Sequence, residues 1–245
     1  MGYAWNWRVF LAPTPSGEST YLGWLLQGLG WTVGLSLAAF AVALLVGTVL
    51  GVLRTVPGRW LSGLAAAYVE AFRNVPLLVQ LFAWYFVVPE LLPRAWGDAI
   101  KQAHPLTQQF LAAWLCLGLF TAARVCEQVR AGIESLSRGQ RAAALALGMT
   151  QPQAYRHVLL PASFRLILPP LTSELLNVFK NSAVASTIGL IELARQSQQL
   201  VDYTAQVYEA FIAVTLLYVL INVTVMLLMR RVERWARVPG TLGAR

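Results

Sequence analysis

The stretch "GQRAAALALGMTQPQAYRHVLLP", Gly139 to Pro161, decides how this chain is organised. Arg141 to Leu147 is built from strong helix formers. Gly148 stops that helix, as glycine does just past a C-terminus. Thr150-Gln151-Pro152-Gln153 starts a second one, with a capping Thr, a Gln three residues on and a Pro tolerated in the first turn. Pro161 closes the second piece. The spacing predicts two short helices joined at a glycine. Their small alanine side chains let another backbone approach closely. Physical chemistry alone leaves two uses open: a cationic helix lying on lipid, or a docking element for a partner.

The flanking sequence is far more apolar. The chain has 245 residues, 57% hydrophobic and 12% charged, against about 25% charged in soluble domains. Thr32 to Leu53, Thr107 to Cys126 and Ala210 to Met229 each supply about the 20 residues a helix needs to cross a bilayer. Trp60 to Val88 and Phe164 to Leu193 are long enough but interrupted by charges and prolines. This predicts an all-α, polytopic membrane protein of about five transmembrane helices. Pro89 to Pro105, with its prolines and a Gly-Asp pair, reads as a poor helix or a turn-rich outer linker. Arg124, Glu127, Arg130, Glu134 and Arg138 alternate in sign at helical spacing, which extends the third span to about Ser137.

The net charge of +8 raises the question of nucleic acid, but its distribution points to a membrane. Arg54, Arg59, Arg124, Arg130, Arg138, Arg141, Arg156, Arg165, Arg230, Arg231, Arg234, Arg237 and Arg245 fall on one side of the five spans. Arg8, Arg94, Lys101 and Arg195 fall on the other. The positive-inside rule puts the N-terminus outside and the C-terminus in the cytoplasm. Met1 to Thr20 has no early apolar core and reads as a retained outer segment rather than a signal peptide. Trp31, Trp60 and Trp235 are expected at span ends, where amphipathic rings lie.

Several functions are disfavoured. No G-x-x-x-x-G-K-[ST] loop is present to cradle phosphate. No nucleophile-base-acid set stands out. His104 and His157 lack metal-ligand company and read as surface residues, so no metal site is expected. Cys116 and Cys126 are too far apart on one helix to bridge and read as packing residues. There is no internal repeat, and five helices are too few to enclose a solute path, so a partner copy or homologue is expected.

Ionisable residues at bilayer depth cost about 2.5–3.5 kcal/mol and point to function. Arg73 falls halfway along the second span, with Glu70 as a ready partner. Lys180 falls in the fourth span, with Glu174 nearby and Ser173 and Asn177 on the same stripe. The candidate wall of a solute path is therefore Arg73, Asn74, Gln80, Arg124, Glu127, Asn177, Lys180, Asn181 and Ser182. Arg124 supplies a cation suited to a carboxylate, or else simply begins the ladder to Glu127.

The opening stretch resembles the cytoplasmic EAA loop of ATP-binding-cassette importer permeases, in which Glu-Ala-Ala is followed by Gly and then by Ile-x-Leu-Pro. Ala143 and Ala144 match the alanines, and Gly148 the glycine. Val158 replaces the Ile before Leu160-Pro161, and Ala142 stands where the family has Glu. "EAFRNVPLLVQLFAWYF" (Glu70 to Phe86) and "VFKNSAVASTIGLIEL" (Val178 to Leu193) are also similar to the polar amino acid permeases, and "TAARVCEQVRAGI" (Thr121 to Ile133), "RHVLLPASFRLILPPLTSELLNVFKNS" and "DYTAQVYEAF" (Asp202 to Phe211) resemble the glutamate/aspartate permeases among them. In that family Tyr is more common at the place of Arg124.

The resemblance implies a type I importer permease fold, with 1–20 outside, a permease domain over 21–235, a coupling loop over 138–161 and a cytoplasmic tail over 236–245. Gln140, Arg141, Ala142, Ala143, Ala144, Gly148, Met149 and Pro161 become the ATPase-coupling set. The implied partners are a second permease subunit, like or unlike, two ATP-binding subunits and a periplasmic amino-acid-binding protein. No cofactor belongs to this chain; ATP and Mg are held by the ATPase. The implied location is the bacterial inner membrane and the implied cargo glutamate or aspartate. Another polar amino acid such as glutamine, or an ATPase-independent channel, stays open at this point.

Overall fold

The computed structural model describes residues 3–56, 58–136 and 138–236. It is helical almost throughout. The helices in order are α1 (Tyr21–Leu53), α2 (Arg59–Asn74), α3 (Leu77–Phe82), α4 (Val88–Leu91), α5 (Arg94–Gln102), α6 (Pro105–Glu134), α7 (Arg138–Ala146), α8 (Gln151–Ala154), α9 (Leu160–Asn181), α10 (Leu193–Thr204) and α11 (Val207–Ala236). Two π-helical turns, Ala83–Val87 and Tyr155–Leu159, join α3 to α4 and α8 to α9. A 3-10 segment, Ser182–Ile188, follows α9.

Helices α1, α6 and α11 are each long and apolar enough to cross a membrane alone. The second expected span is a broken pair. Arg59–Asn74 and Leu77–Leu91 are bent by 104° at the break. The cause is local: Pro76 disfavours helical geometry at Val75 and takes an extended ψ of 139° itself. Arg73 is therefore in the last turn of α2 and not at mid-span. The fourth expected span is α9, 22 residues long. Its charges and its internal Pro169 and Pro170 keep it outside the apolar class of the other three.

Three expectations need correction. The segment from Pro89 to Pro105 is not a turn-rich linker; it holds most of α4 and all of α5. Its prolines stand at helix starts, Pro89 in the first turn of α4, Pro93 capping α5 and Pro105 opening α6, where a missing N–H costs nothing. Trp31 lies inside α1, which begins ten residues earlier at Tyr21, whereas Trp60 and Trp235 do lie near helix ends and are exposed. Pro161 does not end a helix but sits in the first turn of α9, directly after the π turn. Wider π spacing relieves the clash and the lost bond that proline imposes on an α-helix. The expected end of the third helix at Ser137 and the tail from 237 to 245 lie outside the described residues; α6 runs to Glu134.

The described chain divides into two compact units. One comprises residues 3–41, 75–118 and 177–223; the other 42–74, 119–176 and 224–236. In the second unit α1 lies directly on α6. A Cβ added at Gly47 would sit 2.6 Å from Val125 Cβ, and one at Gly51 would sit 2.7 Å from Val129 Cβ. This is the small-xxx-small contact of membrane helices. Ala122, Val125, Val129, Leu159, Ile167 and Leu171 fill the core beside it. Thr172 Oγ1 donates to Glu233 Oε1 at 2.7 Å, tying α9 to α11.

In the first unit the anchor is Glu192, which is fully buried. It caps α10 by accepting from Ala194 N at 2.9 Å and Arg195 N at 2.8 Å. Its Oε2 also accepts from the Tyr218 phenol of α11 at 3.0 Å and faces Thr32 Oγ1 of α1 at 3.5 Å. One carboxylate thus joins three helices. Cys116 and Cys126 are both free and buried, in keeping with packing roles.

Candidate functional site

Two places in the second unit carry functional geometry. The first is α7 and the turn after it. Gly148 has φ +83°, a conformation L side chains rarely adopt. Its N–H bonds to Leu145 O at 3.0 Å, and Met149 N–H to Ala144 O at 3.1 Å. These are the two bonds of a Schellman termination, which is why glycine is needed there. Gln153 Oε1 then accepts from Thr150 N–H at 2.8 Å, closing one side of the expected capping box before α8.

The faces of α7 are unequal. Ala144 is buried, whereas Gln140, Ala142, Ala143 and Leu147 are exposed. Arg141 turns inward. Its Nη2 donates to Gln151 Oε1 at 3.1 Å, and its guanidinium lies 5.9 Å from the Tyr155 ring centroid. Of the two polar residues beside the substituted Glu position, Gln140 alone is fully outward-facing. Tyr155, in the π turn, donates its phenol to Thr55 O, beyond the end of α1, at 2.9 Å. Through Gln151 and Tyr155, α7 is thus joined to the end of α1 and to the π turn that leads into α9.

The second place is an open cleft of about 390 Å³ lined by Arg73, Arg124, Glu127, Gln128 and Glu174. Arg124 and Gln128 are four apart on α6 and share a face. Gln128 Nε2 donates to Glu174 Oε1 of α9 at 3.2 Å. Arg124 Nη1 stands 3.8 Å from Glu174 Oε2, a loose pair. The Arg124 guanidinium also lies 4.9 Å from the Phe120 ring centroid, a cation–π contact. Its side chain is 41% exposed, against 12% for Glu174. The planar fork of Arg124 is thus presented to the cleft with room for a second carboxylate.

Arg124 is therefore not the start of the helical ladder. That ladder runs Glu127–Arg130 at 2.9 Å and Arg130–Glu134 at 2.7 Å. Glu127 also pairs with Arg54 at the end of α1. The sequence candidates thus divide. Arg73, Arg124 and Glu127 meet at one cleft. Asn74 is exposed and donates to Glu70 Oε2 at 3.0 Å, taking the carboxylate expected for Arg73.

The remaining candidates belong to the other unit. Gln80 is buried and donates to Val75 O at 2.8 Å; Ser182 is buried and donates to Phe179 O at 2.8 Å. Asn181 borders a small apolar space with Leu77 and Cys116. Asn177 is half-buried and Lys180 exposed. Lys180, expected to meet a carbonyl or Glu174, is exposed in the last turn of α9. Sequence reading missed Gln128 as a wall residue, although its spacing from Arg124 was visible. It also cast Glu174 only as a partner for Lys180.

The geometry describes a membrane-embedded permease subunit, and comparison with known proteins agrees. The family described as the binding-protein-dependent transport system inner membrane component matches residues 43–238. The chain belongs to this family. It is 57% identical over 246 residues to the glutamate/aspartate import permease protein GltJ of Escherichia coli (strain K12), covering all of both chains. It is 32% identical to the probable glutamine ABC transporter permease protein GlnM of Bacillus subtilis (strain 168), over 81% of this chain and 86% of that one. Among solved structures, an amino acid ABC transporter with histidines matches with a TM-score of 0.73 at 29% identity, over 87% of this chain and 94% of that one. The inward-facing MetNI methionine transporter gives 0.73 at 21% identity, over 87% and 96%, a likeness of fold. The fold is that of a type I importer permease, and the chain is a transporter component, not an enzyme.

Proposed function

We propose that this chain is the membrane-spanning permease subunit of an ATP-binding-cassette importer carrying glutamate and aspartate across the bacterial inner membrane. The observation that carries the cargo is the 57% identity, end to end, with a glutamate/aspartate import permease. The exposed Arg124 fork in the cleft supports an acidic cargo. The cation asymmetry supports a periplasmic N-terminus and a cytoplasmic C-terminus.

The coupling set reads as a lever. Two ATP-binding subunits, which hold ATP and Mg, each receive a coupling loop in a surface groove. Gln140, Ala142, Ala143 and Leu147 form the face offered to the groove. Gly148 and Met149 fix the end of the lever, and Arg141 and Ala144 hold it to the body. A second permease completes the path, and a periplasmic binding protein delivers the amino acid.

The test is uptake into vesicles containing the permease pair, the ATP-binding subunits and the binding protein. Labelled glutamate and aspartate accumulate only with ATP, and at least roughly tenfold above glutamine, a ratio within reach of a charge-specific site. Equal glutamine uptake would remove the cargo. Uptake that ignores ATP would remove the importer reading.

A further inference from the structure

The N-terminal segment is fastened to α11 by a buried acid. Glu209, in the first turn of α11, has no exposed surface. Its Oε2 accepts from the Tyr3 phenol at 2.5 Å and its Oε1 from Asn6 N–H at 2.6 Å. These bonds hold Tyr3 and Asn6 against the head of α11, and the Trp side chains of the segment face outward. Trp5 is 54% exposed, Trp7 50%, Tyr208 55% and Leu11 70%. Trp5 and Trp7 are stacked, with centroids 5.6 Å apart and planes within 3°. Tyr3 stands edge-on to Tyr208 at 4.6 Å. Such a contiguous aromatic surface marks an interaction site.

Depth along α11 selects the occupant. Tyr208 is two residues before the apolar block Ala210 to Met229. Taking Ala210 as the hydrocarbon edge, 1.5 Å per residue puts it about 3 Å beyond that edge. That is the headgroup layer, where Trp and Tyr concentrate. The exposed side of α11 continues from Tyr208 through Phe211, Ile212 and Leu216, so the patch is continuous with the apolar wall of a membrane helix. Arg8, the cation of this segment, is exposed beside Trp7 and complements lipid phosphate.

We infer that residues 3–11 form an interfacial anchor: Trp5, Trp7 and Leu11 enter the boundary between phospholipid headgroups and acyl chains, and Arg8 meets the phosphates. The anchor rests on the chain being a membrane permease and is independent of its cargo. Glu209 carries the anchor's hold on the bilayer to α11 and so fixes that helix's depth.

The experiment uses the full transporter in vesicles of phosphatidylethanolamine and phosphatidylglycerol. Because Cys116 and Cys126 are buried, Leu11→Cys gives an accessible thiol for an environment-sensitive fluorophore. A lipid spin-labelled near its headgroup quenches that fluorophore at least about threefold more than aqueous iodide does, as an interfacial position requires. Free quenching by iodide with none from the lipid overturns the anchor. Shielding that arises only when the binding protein is added also overturns it and assigns the patch to a protein partner. As an independent reading, a Trp5→Phe/Trp7→Phe double variant loses part of the tryptophan emission that brominated lipid quenches. No such loss counts against the anchor.

Discussion

Glu192 and Glu174 are the same chemical group put to opposite uses. Glu192 is fully buried and takes up two backbone N–H groups and the Tyr218 phenol. Glu174 borders an open cleft, holds Gln128 at 3.2 Å and meets Arg124 only at 3.8 Å. A buried carboxylate that is fully hydrogen-bonded cannot exchange partners without stranding donors. Glu174 is 12% exposed and is held by Gln128, while the Arg124 fork beside it is 41% exposed and presents donors to the cleft. The contrast separates a residue that joins three helices from one that borders an open cleft.

The largest expected effect lies on the structural side. Glu192→Leu strands the α10 N–H groups and the Tyr218 hydroxyl, costing about 3–5 kcal/mol. Thermal unfolding in detergent shows it as a large drop in Tm, whereas Glu192→Gln loses far less. On the cleft side, Arg124→Tyr leaves Tm within a degree or two and lowers glutamate uptake about 10- to 100-fold. Unchanged glutamate preference in that variant would return Arg124 to a packing role. If both variants instead lose stability alike, the contrast between the two carboxylates fails.

Smaller effects sharpen the picture elsewhere. Gly148→Ala forces an L side chain to positive φ at a cost of about 1–2 kcal/mol. It lowers substrate-stimulated ATP hydrolysis a few-fold while the complex still assembles, measurable side by side on purified transporter. The smallest effect is at Lys101, whose Nζ donates to Glu90 at 3.0 Å. That bond holds the ammonium above its ordinary pKa. Its contribution is therefore present through neutral pH and lost only as pH rises past the usual lysine range. Amine labelling of Lys101 against pH, compared with Glu90→Gln, shows the shift.

Much of this was legible in the sequence because one-dimensional signals sufficed. The apolar blocks gave α1, α6 and α11. Gly148 and Thr150 marked the end of α7 and the start of α8, since caps are local. What escaped depended on context. The prolines at 89, 93 and 105 suggested a linker, yet each serves as a helix starter. Pro161 suggested a stop, yet a π turn absorbs it. The Gly47–Gly51 contact with α6 was present as a pattern but has meaning only once its partner helix is known. The cleft was half legible, because Arg124 announced itself while Gln128 looked like an ordinary polar residue on a helix.

The π turn at Tyr155–Leu159 sets the phase at which α8 meets α9. A π turn holds about one residue more than an α turn, which offsets the next helix by roughly 100° in helical phase. Deleting the exposed His157 would let α8 and α9 join as one regular rod. That rod would carry Pro161 without the wider turn that now relieves it, so it would kink there and present α7 on a rotated bearing. On the proposed lever reading, a transporter carrying that deletion would hydrolyse ATP with less uptake per turnover.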